Sequence, residues 1–352
     1  MADIYQLLAK HLDNLPAGCP ATESGVELRI LKRLFSPREA EIALALNMTL
    51  EPTAVIAERL SMTATDLEPF LDDMSRKGLI FRAFKKGQDH FMAAQFVIGI
   101  WEYHVNDLDE DLIRDFNEYA PFLMDNAWVN RGTKQLRVIP ISKSIDAKME
   151  VMPYEAAEEI IGKQSKIVVA PCICRKEHNL VGDGCNKLME ACLIFGTGAY
   201  YYEQNGLGRT ISRQEALDIV NQAMEAGLVL QPGNAQKPAN ICLCCGCCCQ
   251  ILKNLNRLES PAKAVSSNYF AVVDEESCTA CGICEERCQM AAIEVTDTAQ
   301  VNLDRCIGCG LCVPTCDVDA IRMVEKQEAD KAVPPRSVAG TYISMAKERG
   351  LI

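Results

Sequence analysis

The sequence predicts a multidomain α+β protein, and three observations carry that expectation. The chain has 352 residues, enough for two or three domains, and at 49% hydrophobic it can fill real cores. Apolar residues recur at helical spacing through the N-terminal third, while the middle mixes such stretches with short strand-like runs. The cysteines are unevenly placed: of 19, all but Cys19 lie after residue 171, with four in 172–192, six in 242–249 and eight in 278–316. These signals divide the chain into an N-terminal region 1–104, a central cysteine-rich region 105–264, a second cysteine-rich region 265–325 and a tail 326–352.

Bulk properties narrow the function classes. "MADIYQLLAKHLDNL" is charged and amphipathic, without the apolar run or small-residue cleavage site of a secretory signal. The longest uncharged apolar run, Phe91 to Trp101, is about half of the ~20 residues that a membrane-spanning helix requires. A cytoplasmic location without a membrane span is therefore expected, and in a reducing compartment so many thiols read as metal ligands or redox centres. The formal net charge of −12 disfavours generic nucleic-acid binding and suits docking onto basic protein surfaces.

In the N-terminal region, "SGVELRILKRLF" and "SPREAEIALAL" read as helices, followed by a short helix ending near Leu60. A turn then leads to a helix with Leu67, Phe70, Leu71 and Met74 on one face, which Thr63 or Thr65 caps and Gly78 ends. Pro69 fits best in its first turn. "LIFRAF", "KKGQ" and "DHFMAA" read as a hairpin. Over roughly residues 22 to 100 this order resembles a winged helix-turn-helix domain. The would-be recognition helix carries Asp66, Glu68, Asp72 and Asp73 against Arg76 and Lys77, so protein docking is expected there and DNA binding is not.

The central region reads as an α/β domain. "NDLDEDLIRDFNEYAPFL" is an acidic amphipathic helix, "QLRVIPI" and "KIVVA" are strands, and "YEAAEEII" between them is a helix. "KIVVA" runs into "PCICR", which puts Cys172 and Cys174 in a loop at a strand end. Cys185 and Cys192 are seven residues apart and share a face if the stretch between them is helical, and these four thiols suffice for one cluster. "TISRQEALDIVNQAMEAGLVL" is a helix with Ser212 and Glu215 at its start and Gly227 at its end. His178 reads as an exposed loop residue, with metal ligation or proton movement as the alternative. Arg175 and Lys176 read as a solvated pair, with balancing of cluster charge as the alternative.

"ICLCCGCCCQIL" then places Cys242, Cys244, Cys245, Cys247, Cys248 and Cys249 within eight positions. Disulfides between such near neighbours are strained, so a thiophilic metal is the natural partner, and "QILKNLNRL" behind them reads as a helix start. The run Cys244-Cys245-Gly246 resembles the CCG modules of heterodisulfide reductases, which implies a further, noncubane iron–sulfur cluster.

Near the C-terminus, "CTACGICEERC" and "CIGCGLCVPTC" each have the spacing C-x2-C-x2-C-x3-C, and the second starts 28 residues after the first. This duplication resembles the bacterial ferredoxin domain with two [4Fe–4S] clusters. The resemblance implies one cube on Cys278, Cys281, Cys284 and Cys316 and another on Cys306, Cys309, Cys312 and Cys288, with Gly282, Gly308 and Gly310 letting backbone amides approach cluster sulfur. Gln289 and Asp317 stand where that family usually has proline.

The combination also resembles a multi-cluster 4Fe–4S binding family of anaerobes. Electron transfer through the two cubes, to or from a central iron–sulfur centre, is the function expected, with a redox protein or a larger oxidoreductase as partner. The alternatives are a reductase acting on a disulfide or similar substrate at the central cluster, and a redox-sensing transcription regulator.

Overall fold

Polar residues at fixed offsets start the N-terminal helices. Ser36 accepts the Glu39 amide at 3.3 Å while the Glu39 carboxylate accepts the Ser36 amide at 2.7 Å, a closed capping box on helix Pro37–Ala43. Thr63 accepts the Asp66 amide at 3.2 Å and caps helix Ala64–Arg76, which buries Leu67, Leu71 and Met74. Because this helix starts at Ala64, Pro69 stands in its second turn and not in the first, as its ring suggested. The missing hydrogen bond leaves the carbonyl of Thr65, which is exposed to water.

Helix Thr53–Leu60 precedes it, and the hairpin Ile80–Lys85 with Gln88–Ala93 follows. Lys85 faces Gln88 across the turn, and Lys86 and Gly87 both have positive φ, 51° and 81°, which matches a tight loop to the strand twist. Glu51–Pro52 adds a short strand beside Gln88–Ala93.

The computed structural model describes residues 3–146, 149 and 151–352, and the chain divides into two compact units. One comprises Met1–Gly132, Thr197–Arg209 and Tyr342–Ile352; the other comprises Thr133–Gly196 and Thr210–Thr341. Where the sequence suggested breaks after 104, 264 and 325, the packing follows apolar faces. Helix Glu110–Met124 lies on helix Val26–Leu34, with Arg29 3.2 Å from Asp115, and Trp101 stacks on Phe116 at 3.6 Å between ring centroids. Tyr201 donates its hydroxyl to the carbonyls of Ser75 and Ile80, each at 3.0 Å, and so ties 197–209 to the first unit. Arg349 does the same for the C-terminal helix by donating to the Leu15 carbonyl.

The second unit is built on a five-stranded sheet in the order Arg209–Ile211, Ile167–Pro171, Glu190–Phe195, Asn240–Cys244, Val229–Pro232. The pairings of Glu190–Phe195 with its two neighbours, and of Asn240–Cys244 with Val229–Pro232, are antiparallel. The mixed helix-and-sheet character holds, but this is not the parallel layering of an α/β domain. "QLRVIPI" makes isolated bridges, Leu136 to Gly233 and Ile139 to Leu230, instead of the expected strand. Its other amides go elsewhere: Val138 to the Ser266 carbonyl at 2.9 Å and Ile141 to that of Cys309 at 3.1 Å. Helices Ala157–Gly162 and Arg213–Glu225 form where the periodicity put them, the latter with Ser212 accepting the Glu215 amide at 3.1 Å. The stretch from Cys185 to Cys192 is not helical, because "EACLIF" is drawn into the middle of the sheet.

The C-terminal cysteine runs lie between two antiparallel pairs, Tyr269–Val273 with Ile321–Glu325 and Ile293–Val295 with Ala299–Val301. The duplication reaches the backbone: Ala291 and Asp319, each three residues after a fourth cysteine, both have positive φ, 46° and 52°.

Candidate metal centres

One cavity is lined by Cys278, Cys281, Cys284 and Cys316, and another by Cys306, Cys309, Cys312 and Cys288. The fourth cysteine of each run therefore lies with the first three of the other run. Backbone amides point at the sulfurs: Ala299 to Cys278 at 3.3 Å, Ala320 to Cys316 at 3.2 Å, Ala292 to Cys288 at 3.2 Å and Ala271 to Cys306 at 3.5 Å. Four thiols with amide donors form a donor set that fits a [4Fe–4S] cube. Gly282, Gly308 and Gly310 all have positive φ, and a Cβ on Gly308 would fall 2.1 Å from the Tyr269 carbonyl oxygen. Burial pushes the Cys309 thiol up to about 12, so metal loading there must expel a proton.

The ten central cysteines fall into two sets. Successive side chains of a strand point to opposite faces, so Cys242 and Cys244 share a face of Asn240–Cys244 while Ile241 and Leu243 pack into the core. Cys192 is the cross-strand partner of Cys242, and Ala170, two residues before Cys172, is the partner of Cys192. Electrostatic coupling between neighbouring thiols then links Cys172 to Cys174, Cys249, Cys244, Cys242 and Cys192 in turn. In the second set, the sulfurs of Cys185, Cys245, Cys247 and Cys248 all lie within 4.8 Å of one another. Cys185 is 3.6 Å from Cys248 and 3.9 Å from Cys245. The doublet and the triplet of "CCGCCC" are thus both divided: Cys244 and Cys249 turn to the first set, Cys245, Cys247 and Cys248 to the second. The grouping of Cys172, Cys174, Cys185 and Cys192 in one cluster does not hold, because Cys185 sits in an irregular stretch outside the sheet face that carries Cys192.

Cys174 is not in a loop but in the first turn of helix Ile173–Leu180, for which Cys172 is the N-cap. This helix also corrects two solvated readings. Arg175 is 1% exposed and donates to the carbonyls of Leu188 and Leu243. Its charge acts on Cys172 and Cys244 of one set and on Cys245 of the other, to which it also hydrogen-bonds. Burial by itself would raise the Cys245 thiol, but Arg175 and the Cys248 amide overcome it and bring Cys245 down to about 7. His178 is 2% exposed, with Nδ1 2.8 Å from the Cys174 carbonyl and Nε2 2.9 Å from Lys253 Nζ, so both ring nitrogens are engaged in packing the helix.

Several residues of the site carry no signal of their own in the sequence. Gln231 and Asn240 aim side-chain amides at Cys249, at 3.9 Å, and at Cys242, at 3.4 Å. Gln289 is the exception, since it stands where proline was expected. Its side-chain oxygen accepts the Gly246 amide at 2.8 Å, and its backbone oxygen accepts from Asn256 at 3.0 Å.

Residues 271–294 and 299–322 each match the family model of the 4Fe-4S binding domain, one copy per cysteine run. No curated protein and no solved structure matches the chain. The C-terminal stretch is a ferredoxin-like, iron–sulfur-binding module. Together with the further thiol cluster around residues 185–248, the module suggests an iron–sulfur electron-transfer role. Among the described residues, no helix is long and apolar enough to cross a membrane.

Proposed function

We propose that the protein moves electrons through two [4Fe–4S] cubes, on Cys278, Cys281, Cys284 and Cys316 and on Cys306, Cys309, Cys312 and Cys288, to or from a third iron–sulfur centre on Cys185, Cys245, Cys247 and Cys248. The observation that carries this reading is the Gln289–Gly246 contact. Gln289 follows Cys288 of one cube, and Gly246 lies between Cys245 and Cys247 of the central set, so one 2.8 Å hydrogen bond joins the ligand loops of neighbouring centres. A Cβ on Gly246 would stand 2.3 Å from the Gln289 carbonyl oxygen, and only glycine permits the approach. Arg305 and Arg287 hold the same seam by donating to the carbonyls of Leu258 and Met224.

A redox protein or a larger anaerobic oxidoreductase is the partner in this reading. The N-terminal helix pair and hairpin act as a winged-helix docking module for protein and not for DNA. Its cations support that assignment, since Lys77 pairs with Asp73 at 2.6 Å and Glu39 at 2.9 Å, and Arg82 with Asp72 at 3.2 Å. Rapid reduction of anaerobic protein, followed by freeze-quench spectroscopy, tests the route. Gly246→Ala should leave the cube signals intact and slow their equilibration with the central centre at least tenfold. Unchanged equilibration in that variant would overturn the route.

A further inference from the structure

We infer that the ten central cysteines build two centres, and that Cys172, Cys174, Cys192, Cys242, Cys244 and Cys249 hold an iron–sulfur cluster of their own through more than four thiolates. This deepens the electron-transfer reading, on which it rests for the source of electrons, but its test does not measure electron flow.

The first argument is geometric. Cys192 and Cys242 are cross-strand partners, Cys244 shares the face of Cys242, Gln231 opposite Cys242 reaches Cys249 at 3.9 Å, and Cys172 and Cys174 leave the strand beside Cys192 and couple to Cys249. The four thiols of the other set make a compact group elsewhere. The chain separates the sets where it leaves the strand: Cys244 is the last residue of Asn240–Cys244, and Cys245, Cys247 and Cys248 belong to the turn that follows.

The second argument is chemical. A cube is complete with four thiolates, and a tetrahedral zinc ion takes no more than four ligands. Six thiols linked pairwise along one face exceed both, and six thiolates without metal would repel one another strongly. Their surroundings are arranged for anionic sulfur. The buried Arg175 faces Cys172 and Cys244, the Ile251 and Leu252 amides donate to Cys249, and the buried Gln231 and Asn240 present N–H groups to Cys249 and Cys242. Cys244 and Cys249 are buried and the other four half-buried, so the set is reached from one side.

Iron and acid-labile sulfide should be counted in anaerobically purified full-length protein, with Mössbauer spectra of iron-enriched samples. Wild type should hold about sixteen or more irons, four for each of three four-thiol sites and the rest in the six-thiol centre. Cys192→Ser/Cys242→Ser should lose at least about four irons, and Cys185→Ser/Cys248→Ser a different set of about four, with cube signals of the C-terminal module kept in both. Single serine replacement at five or more of the six positions should remove the same iron component. Cys19→Ser, in the other unit, should remove none.

Loss of one shared component in both double variants would show a single central centre and overturn the inference. So would a Cys192→Ser/Cys242→Ser protein with full iron. Two of the six positions proving dispensable would reduce the site to a cube with spare thiols and defeat the claim of a larger ligand set. If a variant fails to fold, the wild-type spectrum still decides, since it must contain iron that three cubes do not account for. A protein lacking the cube signals of the C-terminal module would instead sink the electron-transfer reading.

Discussion

The two cysteine-rich regions of the second unit both gather thiols for metal, and they part company at the six-thiol set. In the ferredoxin-like module three ligands of each group come from one short loop, at a spacing repeated 28 residues later, and only the fourth is borrowed. In the central region the four-thiol set likewise takes Cys245, Cys247 and Cys248 from one turn and borrows Cys185, but the six-thiol set comes from no single loop. It is drawn from Ile173–Leu180 and its N-cap, from Glu190–Phe195, from Asn240–Cys244 and from the residue before Gln250–Leu255. A loop site survives changes outside the loop, whereas a site assembled by strand pairing depends on every register around it.

The largest expected effect uses that difference. One alanine inserted between Leu243 and Cys244 moves Cys244 to the face opposite Cys242 and displaces the Cys245–Cys249 turn that follows it. Central iron should be lost almost completely, while the paramagnetic signals of the reduced C-terminal cubes persist. An equivalent insertion at Asp297, in the turn between Ile293–Val295 and Ala299–Val301, should leave both regions loaded. Equal iron loss in the two insertions would erase the distinction.

Arg175→Met comes next. It removes a buried cation that acts on both central sets and takes from the Leu188 and Leu243 carbonyls the donor that Arg175 supplies. Losing a positive charge makes an added electron less welcome, so the central potentials should fall while those of the C-terminal cubes stay in place in a redox titration. The same charge keeps Cys245 near 7. In metal-stripped protein, alkylation of Cys245 should therefore rise through about pH 7 and move to higher pH in the variant. An unmoved profile would mean that Arg175 does not govern that thiol.

The smallest effect lies in the first unit, which contains none of the proposed iron ligands. Ser36→Ala opens the capping box and should cost about 1 kcal/mol in denaturant titrations, with iron content unchanged. Burial acts to raise the Glu39 carboxyl, but Lys77 and Ser36 outweigh it and hold it below its ordinary 4.5. A depressed carboxylate contributes stability above its unfolded pKa and loses it as pH falls through the folded value. Acid unfolding of this unit should thus steepen below about pH 4.5, and Lys77→Met should flatten that slope.

Much of the fold was legible in residue order because its causes are local. The helix at Ala64–Arg76 announces itself by Thr63, a buried stripe and Gly78, and the hairpin after it by Lys86-Gly87. The ferredoxin-like module is the extreme case, since six of its eight ligands are spaced by loop geometry alone. Local evidence failed where a segment's state depends on distant chain. "NKLMEAC" has helical spacing, yet Cys192 belongs to a strand because Val169, Ala170, Ile241 and Cys242 offer it neighbours on both sides. "QLRVIPI" looks like a strand, but its hydrogen-bonding groups are divided among partners far along the chain.

By itself, then, the sequence determined that thiols are present in excess, that eight of them follow a ferredoxin pattern and that the N-terminal helices would form, all properties of residues within a turn or two of one another. Only the tertiary structure decided which central thiol joins which set, that Arg175 is buried between the sets, and that Gln289 reaches Gly246. Those outcomes depend on which face a strand presents and which strand lies beside it. Both are settled by apolar surface buried across long sequence separations, which no spacing between neighbouring residues records.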